Sequence, residues 1–286
     1  SPGNAGAQGR RHGEVLESMS ATLDITGTTR VFGVIADPIV HVRAPIVFNP
    51  LFEAKGTDAV MVPVHAPAAR LETVLDGLKA QPNFGGLAVT VPHKLAIMEL
   101  CDEVGRQGRL VGAVNAVRFD DQRRMVGDNF DGAGFVAGMR AEGYEVTGHS
   151  VLQLGAGGAG RAIAFSLADA GVSRLVIHNR TRAKAEELVA AVSAAYPEIS
   201  VSVGEADPDG CEIVINTTSA GLHKDDPLPI DEKFLQPGLL VAEIIMIPER
   251  TRLLESALEK GCKVQYGRHM LDKQIDLIGE FLECFQ

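Results

Sequence analysis

Cysteine is scarce and scattered: the four in the chain, Cys101, Cys211, Cys262 and Cys284, form no C-x-x-C pair and have no clustered histidine. Such spacing offers neither a zinc site nor a disulfide framework, and it points to a reducing compartment, the cytoplasm. Long apolar runs are missing as well. The longest, Leu239 to Ile247, is interrupted by Glu243 and stopped by Pro248, too short and too charged for a membrane span. There is no basic run either. With 27 Lys and Arg against 37 Asp and Glu, the formal charge is −10, and no stripe of cations is available to track a nucleic-acid backbone. No repeat with a period of roughly 20 to 50 residues occurs, which sets solenoids aside.

What remains is an ordinary globular composition, 45% hydrophobic and 22% charged, over 286 residues, a length that suits two domains. Residues 1–26 begin Gly-, Ala- and Ser-rich and hold no sustained apolar segment; they read as a leader or disordered tail rather than a secretory signal, and residues 1–19 are left out of the fold. From Thr28 on, short apolar runs alternate with helix-like stretches. Strands are predicted over 29–35, 59–65 and 85–92, helices over 44–56, 67–80 and 93–104, and a strand pair over 113–119 and 123–129. A helix over 131–143 opens a second series: strands 151–155, 174–179, 212–217, 239–245 and 263–267, helices 158–171, 182–195 and 249–260, and a last helix 269–286. The βαβ alternation predicts an α/β protein with mainly parallel sheets covered by helices.

The strongest local motif is Gly155-Ala156-Gly157-Gly158-Ala159-Gly160, between the strand VLQL and an Ala-rich helix. Gly155 permits a tight turn, Gly157 lets backbone approach a pyrophosphate, Gly160 allows close helix packing, and the phosphates face the positive helix N-terminus. Arg161-Ala162 stands where an NTPase loop needs Lys and then Ser or Thr, so hydrolysis of ATP or GTP is excluded. The next strand ends in His178-Asn179-Arg180-Thr181-Arg182-Ala183-Lys184, without the carboxylate that would hold the ribose of NAD. Cations at a helix start oppose the macrodipole, and a 2′-phosphate gives a reason for them. NADP is the expected cofactor, with NAD the alternative. Gly127-Asp128-Asn129-Phe130-Asp131-Gly132 has a superficial likeness to a calcium loop, but aligning its turn glycine puts Gly127 and Gly138 at ligand positions, and no metal is expected. Alone, this segment reads as a turn capping the following helix.

Taken in order and spacing, TVPHK (90–94), GAVNAV (112–117), GDNFDG (127–132), GAGGAG with NRT (155–160, 179–181), NTTSAG (216–221) and Gly267 with MLDKQ (270–274) resemble the shikimate dehydrogenase family. The resemblance implies a substrate domain over 27–130, a Rossmann domain over 131–268, and a C-terminal helix, 269–286, that returns to the first domain. It implies Lys94 and Asp131 as the catalytic pair, Thr90, Asn115 and Gln274 toward substrate, and Thr217, Thr218, Ser219 and Gly267 toward the cofactor. Oxidising a secondary alcohol requires a base for the hydroxyl proton while hydride leaves, a task a Lys held by an Asp can perform. Individually, Lys94 as a helix-start cation and Asp131 as a cap would be unremarkable.

The chain also departs from the family. Val42 and Ala44 stand where two serines usually bind the substrate carboxylate, Met246 where a tyrosine often helps, and Phe130 where a threonine usually precedes the aspartate. An anion against those side chains would lack donors, so either Arg43 or His41 takes over or the substrate differs. The expectation is hydride transfer between NADP and a ring-borne secondary alcohol, shikimate, quinate or an analogue; the rival is a nucleotide-binding regulatory protein of the same fold without turnover.

Overall fold

A computed structural model describes residues 24–286 of the chain. The leader expected over residues 1–26 lies outside the described residues as far as residue 23. From Thr26 the chain is tied down: the Thr26 amide donates to Thr29 Oγ1, and the Thr28 and Thr29 hydroxyls both donate to Asp58 at 2.6 Å.

The first half builds β1 (Arg30–Ala36), α1 (Ala44–Lys55), β2 (Ala59–His65), α2 (Leu71–Lys79), β3 (Phe84–Val89), α3 (Lys94–Leu100), β4 (Glu103–Val104), α4 (Arg106–Val111), β5 (Ala116–Phe119), β6 (Met125–Asp128) and α5 (Asp131–Ala141). The second builds β7 (Ser150–Leu154), α6 (Gly158–Asp169), β8 (Arg174–His178), α7 (Arg182–Ala195), β9 (Ser200–Val203), β10 (Ile213–Asn216), β11 (Leu240–Glu243), α8 (Arg252–Glu259), β12 (Lys263–Gln265) and α9 (Arg268–Phe281). Two six-stranded sheets result. In the first, ordered β2-β1-β3-β5-β6-β4, β5 is antiparallel to both neighbours; a turn at Asp120, whose carboxylate accepts from the Gln122 and Arg124 amides, leads it straight back into β6. The second, β9-β8-β7-β10-β11-β12, is parallel throughout. Counted from β7 its order is 3-2-1-4-5-6, the doubly wound arrangement that opens a crevice where the order reverses. Its central strands β7, β10 and β11 are buried and mostly apolar, as a sheet covered on both faces requires.

Pairing with β6 overrides one local pattern. The helix predicted over 93–104 ends at Leu100, because Asp102 exchanges bonds with Met125 (2.9 Å through its amide, 2.7 Å through its carboxylate) and the Gly105 amide reaches Gly127 O at 2.8 Å. The segment becomes β4 followed by α4. Neither α4 nor β9, a four-residue Ser-Val alternation at the sheet edge, belongs to the predicted series.

Helix α5 decides how the halves meet. Its sequence, DGAGFVAGMRA, is rich in poor helix formers. Close approach explains them: a Cβ on Gly132 would collide with the Ala162 carbonyl of α6, one on Gly134 with Gln274 of α9, and one on Gly138 with the His269 backbone. Lying against α5, α9 also packs Ile275 and Ile278 into a cluster with Phe32 of β1 and Phe48 and Phe52 of α1. The last helix is thereby fastened to the first half of the chain.

Candidate active site

Thr90 follows β3 directly, and a short turn leads to Lys94, the first residue of α3. The turn is pinned by His93, a buried histidine whose Nε2 lies 2.7 Å from Ala66 O. Asp131 is likewise the first residue of its helix, its amide donating to Asn129 Oδ1 at 3.0 Å, while Asp128 Oδ1 accepts from the Gly108 and Asn129 amides. Within the calcium-like segment, Asp128 Oδ1 and Asn129 Oδ1 are thus spent on caps and turns. Lys94 Nζ donates to Asp131 Oδ2 at 2.7 Å; Asn115 Nδ2 donates to Oδ1 at 3.0 Å, and Gln274 Nε2 to the same oxygen from 143 residues away. Asn115 is itself oriented by the Phe130 amide, which donates to its Oδ1 at 2.9 Å. Lys94 keeps 26% of its side chain exposed, so the ammonium, with three protons and one protein acceptor, faces open space.

That space is two cavities sharing a wall. The first, about 370 Å³, is lined by Thr90, Lys94, Asn115, Asp131 and Gln274 and extends past Val42 and Ala44 to Phe48. The second, about 680 Å³, lies between the sheets; it is lined by Gly158, Ala159 and Gly267 and again by Lys94, Asp131, Met246 and Gln274. Gly267 is required there because a side chain would collide with the Ile245 carbonyl. Arg43 lies on the first cavity's lining but is exposed. Phe130 lies outside both linings, its ring 5.1 Å from that of Phe281, so this departure is absorbed by packing rather than by the cavity.

A third cleft, about 550 Å³, runs over the glycine loop at the reversal of strand order. It is lined by Gly155, Ala156 and Gly157, by Asn179, Arg180, Thr181 and Lys184, and by Thr217, Thr218 and Ser219. Gly155 has φ +111°, and a Cβ there would meet Thr217 Oγ1 at 2.6 Å. Gly160 packs against the same hydroxyl and lines neither cleft, as a packing glycine should. Gly157 and Gly158 instead face open space at the start of the twelve-residue α6, where backbone donors are free for an anion. Asn179 Oδ1 accepts from the Ala156 amide at 3.1 Å. Arg182 turns away to Glu186 at 2.9 Å, leaving Arg180 and Lys184 at the cleft. These residues fit a dinucleotide bearing an extra phosphate.

Two buried polar residues hold parts of this region together although no motif marked them. Gln153, the one polar residue of VLQL, donates from Nε2 at 2.9 Å to both Gly155 O and Gly160 O, bracing the two ends of the glycine loop. Glu243, fully buried, accepts from Asn216 Nδ2, the Ile244 and Ile245 amides and Thr251 Oγ1. Burial pushes its carboxyl above the ordinary glutamate value, against the opposing effect of these donors. The signal for both was a lone polar residue within an apolar strand.

Crevice, glycine loop and Lys-Asp pair together define the class: an α/β dinucleotide-binding oxidoreductase. Residues 34–117 match the shikimate dehydrogenase substrate binding domain and residues 137–223 the shikimate/quinate 5-dehydrogenase domain. The chain belongs to the shikimate dehydrogenase family. It is 39% identical over 245 residues to a shikimate dehydrogenase (NADP(+)) of Bacillus cereus, covering 84% of this chain and 88% of the relative. A shikimate dehydrogenase solved in complex with NADP+ superposes with a TM-score of 0.83 at 33% identity over 91% of each chain. The ligand-free 5-ketofructose reductase of Gluconobacter sp. strain CHM43 gives 0.83 at 30% identity, covering 90% of this chain and 94% of that one.

Proposed function

We propose that the protein interconverts a ring secondary alcohol, shikimate, quinate or an analogue, and the corresponding ketone, with NADP as redox partner. The observation that carries this reading is the Lys94–Asp131 pair on the wall common to two cavities, one beside the glycine loop and one closed by the first sheet. In this reading residues 27–130 with the helix 269–286 form the substrate domain and residues 131–268 the nucleotide domain. Gly155 to Ala159 and Thr217 to Ser219 hold the pyrophosphate side with Gly160 packed beneath them, Asn179, Arg180, Thr181 and Lys184 the 2′-phosphate, and Gly267 leaves room for the nicotinamide end. Bound NADP+ supplies the hydride acceptor.

The chain's own residues manage the proton. In the direction of reduction, Lys94 gives a proton to the oxygen that becomes the hydroxyl, and Asp131 holds the ammonium in line; oxidation is the reverse. Asn115 and Gln274 fix both Asp131 and the neighbouring substrate hydroxyls, Thr90 offers a further hydroxyl, and Arg43 stands at the mouth. Dispersed thiols at Cys101, Cys211, Cys262 and Cys284, none of them paired, suit a reducing compartment, and we place the protein in the cytoplasm. Among the described residues no helix is long and apolar enough to cross a membrane.

Lys94→Ala tests the reading. NADPH formation should fall by about 10² to 10⁴ in kcat with nucleotide affinity little changed. Near-normal kcat would make Lys94 a structural cation. Nucleotide binding without turnover on any ring alcohol would favour a regulatory role.

A further inference from the structure

The first cavity constrains what the ring carries besides hydroxyls. Thr90, Lys94, Asn115, Asp131 and Gln274 gather at one end, where Asn115 precedes β5 and Asp131 follows β6. Val42 and Ala44 lie in the segment after β1, and β3 separates β1 from β5 in the sheet. That is two strand spacings, about 10 Å, room for one substituted six-membered ring between the two ends. At the far end the lining is hydrocarbon: Val42, Ala44, Val47 and Phe48 around the start of α1, and Ile275 and Ile278 from α9. Met246, in the exposed segment after β11, adds another apolar side chain.

Charge is distributed to match. Lys94 is already engaged by Asp131. The other basic side chains on the lining, His41 and Arg43, are exposed at the mouth, where Asp37 contributes a carboxylate that His65 meets at 2.9 Å. A carboxylate carried to the far end would exchange water for hydrocarbon without gaining a donor, which is strongly unfavourable. An uncharged ring edge there would gain by the same burial.

We infer that this site turns over an uncharged cyclic alcohol. Its hydroxyls lie along the edge facing Lys94, Asn115 and Gln274, and its hydrocarbon or otherwise uncharged edge lies against Val42, Ala44 and Phe48; ring carboxylates are the poorer substrates. The inference rests on the proposed oxidoreductase reading and leaves its chemistry unchanged. The carbinol carbon loses hydride to NADP+, the hydroxyl proton passes by Lys94 to solvent, and the products are an uncharged ketone and NADPH.

The test uses the purified full chain with NADP+ and three matched rings: shikimate, its methyl ester, and the same ring triol lacking the carboxyl group. The better of the two uncharged rings should exceed shikimate in kcat/KM by at least tenfold. Val42→Ser with Ala44→Ser should narrow that ratio by raising the value for shikimate. An acid used as well as or better than both uncharged rings overturns the inference, and if Arg43→Ala then impairs the acid alone, the carboxylate is read at the mouth. Should none be oxidised, calorimetric titration of the NADPH-loaded protein separates the two readings. Tighter binding of an uncharged ring than of shikimate supports the pocket assignment and places the failure on the reaction. Tighter binding of the acid, or no binding of any ring, overturns it.

Discussion

At the scale of single side chains, the proposed nucleotide choice rests on Arg180 and the bracing of the glycine loop on Gln153. Arg180 lines the cleft and has no protein partner among the described residues, whereas Arg182 is held by Glu186. Arg180→Ala should weaken NADP by about 1.5–3 kcal/mol, the range for a charge-assisted hydrogen bond, and leave NAD nearly unchanged. Titration with both nucleotides checks this, and equal losses would remove the 2′-phosphate assignment. Gln153 acts from beneath. Its amide nitrogen serves two loop carbonyls, but its oxygen is buried without a partner. In Gln153→Leu the two lost bonds, about 1 kcal/mol each, are largely offset by removing an unsatisfied oxygen that costs about 1–3 kcal/mol. The variant should therefore fold with nearly unchanged stability while its KM for NADP rises severalfold and kcat is retained. A large drop in Tm with unchanged KM would show that Gln153 serves the core and not the loop.

Among the elements, α5 carries the most consequence, because it is the helix against which α6 and α9 both lie. In an isolated helix Gly138→Ala would be favourable by about 0.5–1 kcal/mol. Here the new methyl group would overlap the His269 backbone, and overpacking costs about 1–3 kcal/mol. Packing wins, and Gly138→Ala should lower the stability measured by denaturant titration. Gly134→Ala acts one turn earlier, against the Cα and Cβ of Gln274 at 3.0 and 2.8 Å. Displacing Gln274 from Asp131 should raise the substrate KM while nucleotide affinity stays put. The Glu243 network has the same character at the second sheet: one carboxylate ties the end of β10, the segment carrying Met246 and the start of α8.

Over the whole molecule, ligand and fold are linked. A nucleotide that binds only the folded chain stabilises it by about 2.7 kcal/mol at a hundredfold excess over Kd, so saturating NADP should raise Tm by several degrees and saturating NAD by less. The thiols report on the same folding equilibrium. Burial pushes Cys101 to about 11 and Cys284 to about 12. Because the thiolate is the reactive form, both should alkylate slowly in the native protein at pH 8 and rapidly once it is unfolded. Mass spectrometry of the labelled chain distinguishes this from fast native labelling, which would place either residue outside the core.

The nucleotide half could be read from the sequence because its determinants are contiguous. Strand, glycine turn, helix and the following Asn179-Arg180-Thr181 occupy one βαβ unit, where local conformation dictates the geometry. Lys94 and Asp131 are different: each has an ordinary local explanation at its own helix start, and only the meeting of α3 and α5 brings them to 2.7 Å. Family resemblance named them, but no local pattern could. The helix predicted over 93–104 failed for the same reason, since strand pairing with β6 outweighed local helix propensity at Asp102 to Gly105. Phe130 stood out in the sequence as a departure at the site, yet its ring packs on Phe281. Chain chemistry alone thus specified a dinucleotide-binding fold and its glycine turn, through backbone conformation over a few residues. The Lys-Asp-Asn-Gln constellation and the hydrocarbon end of its cavity depended on side chains far apart in sequence, which only the packing of α3, α5 and α9 around the first sheet brings together.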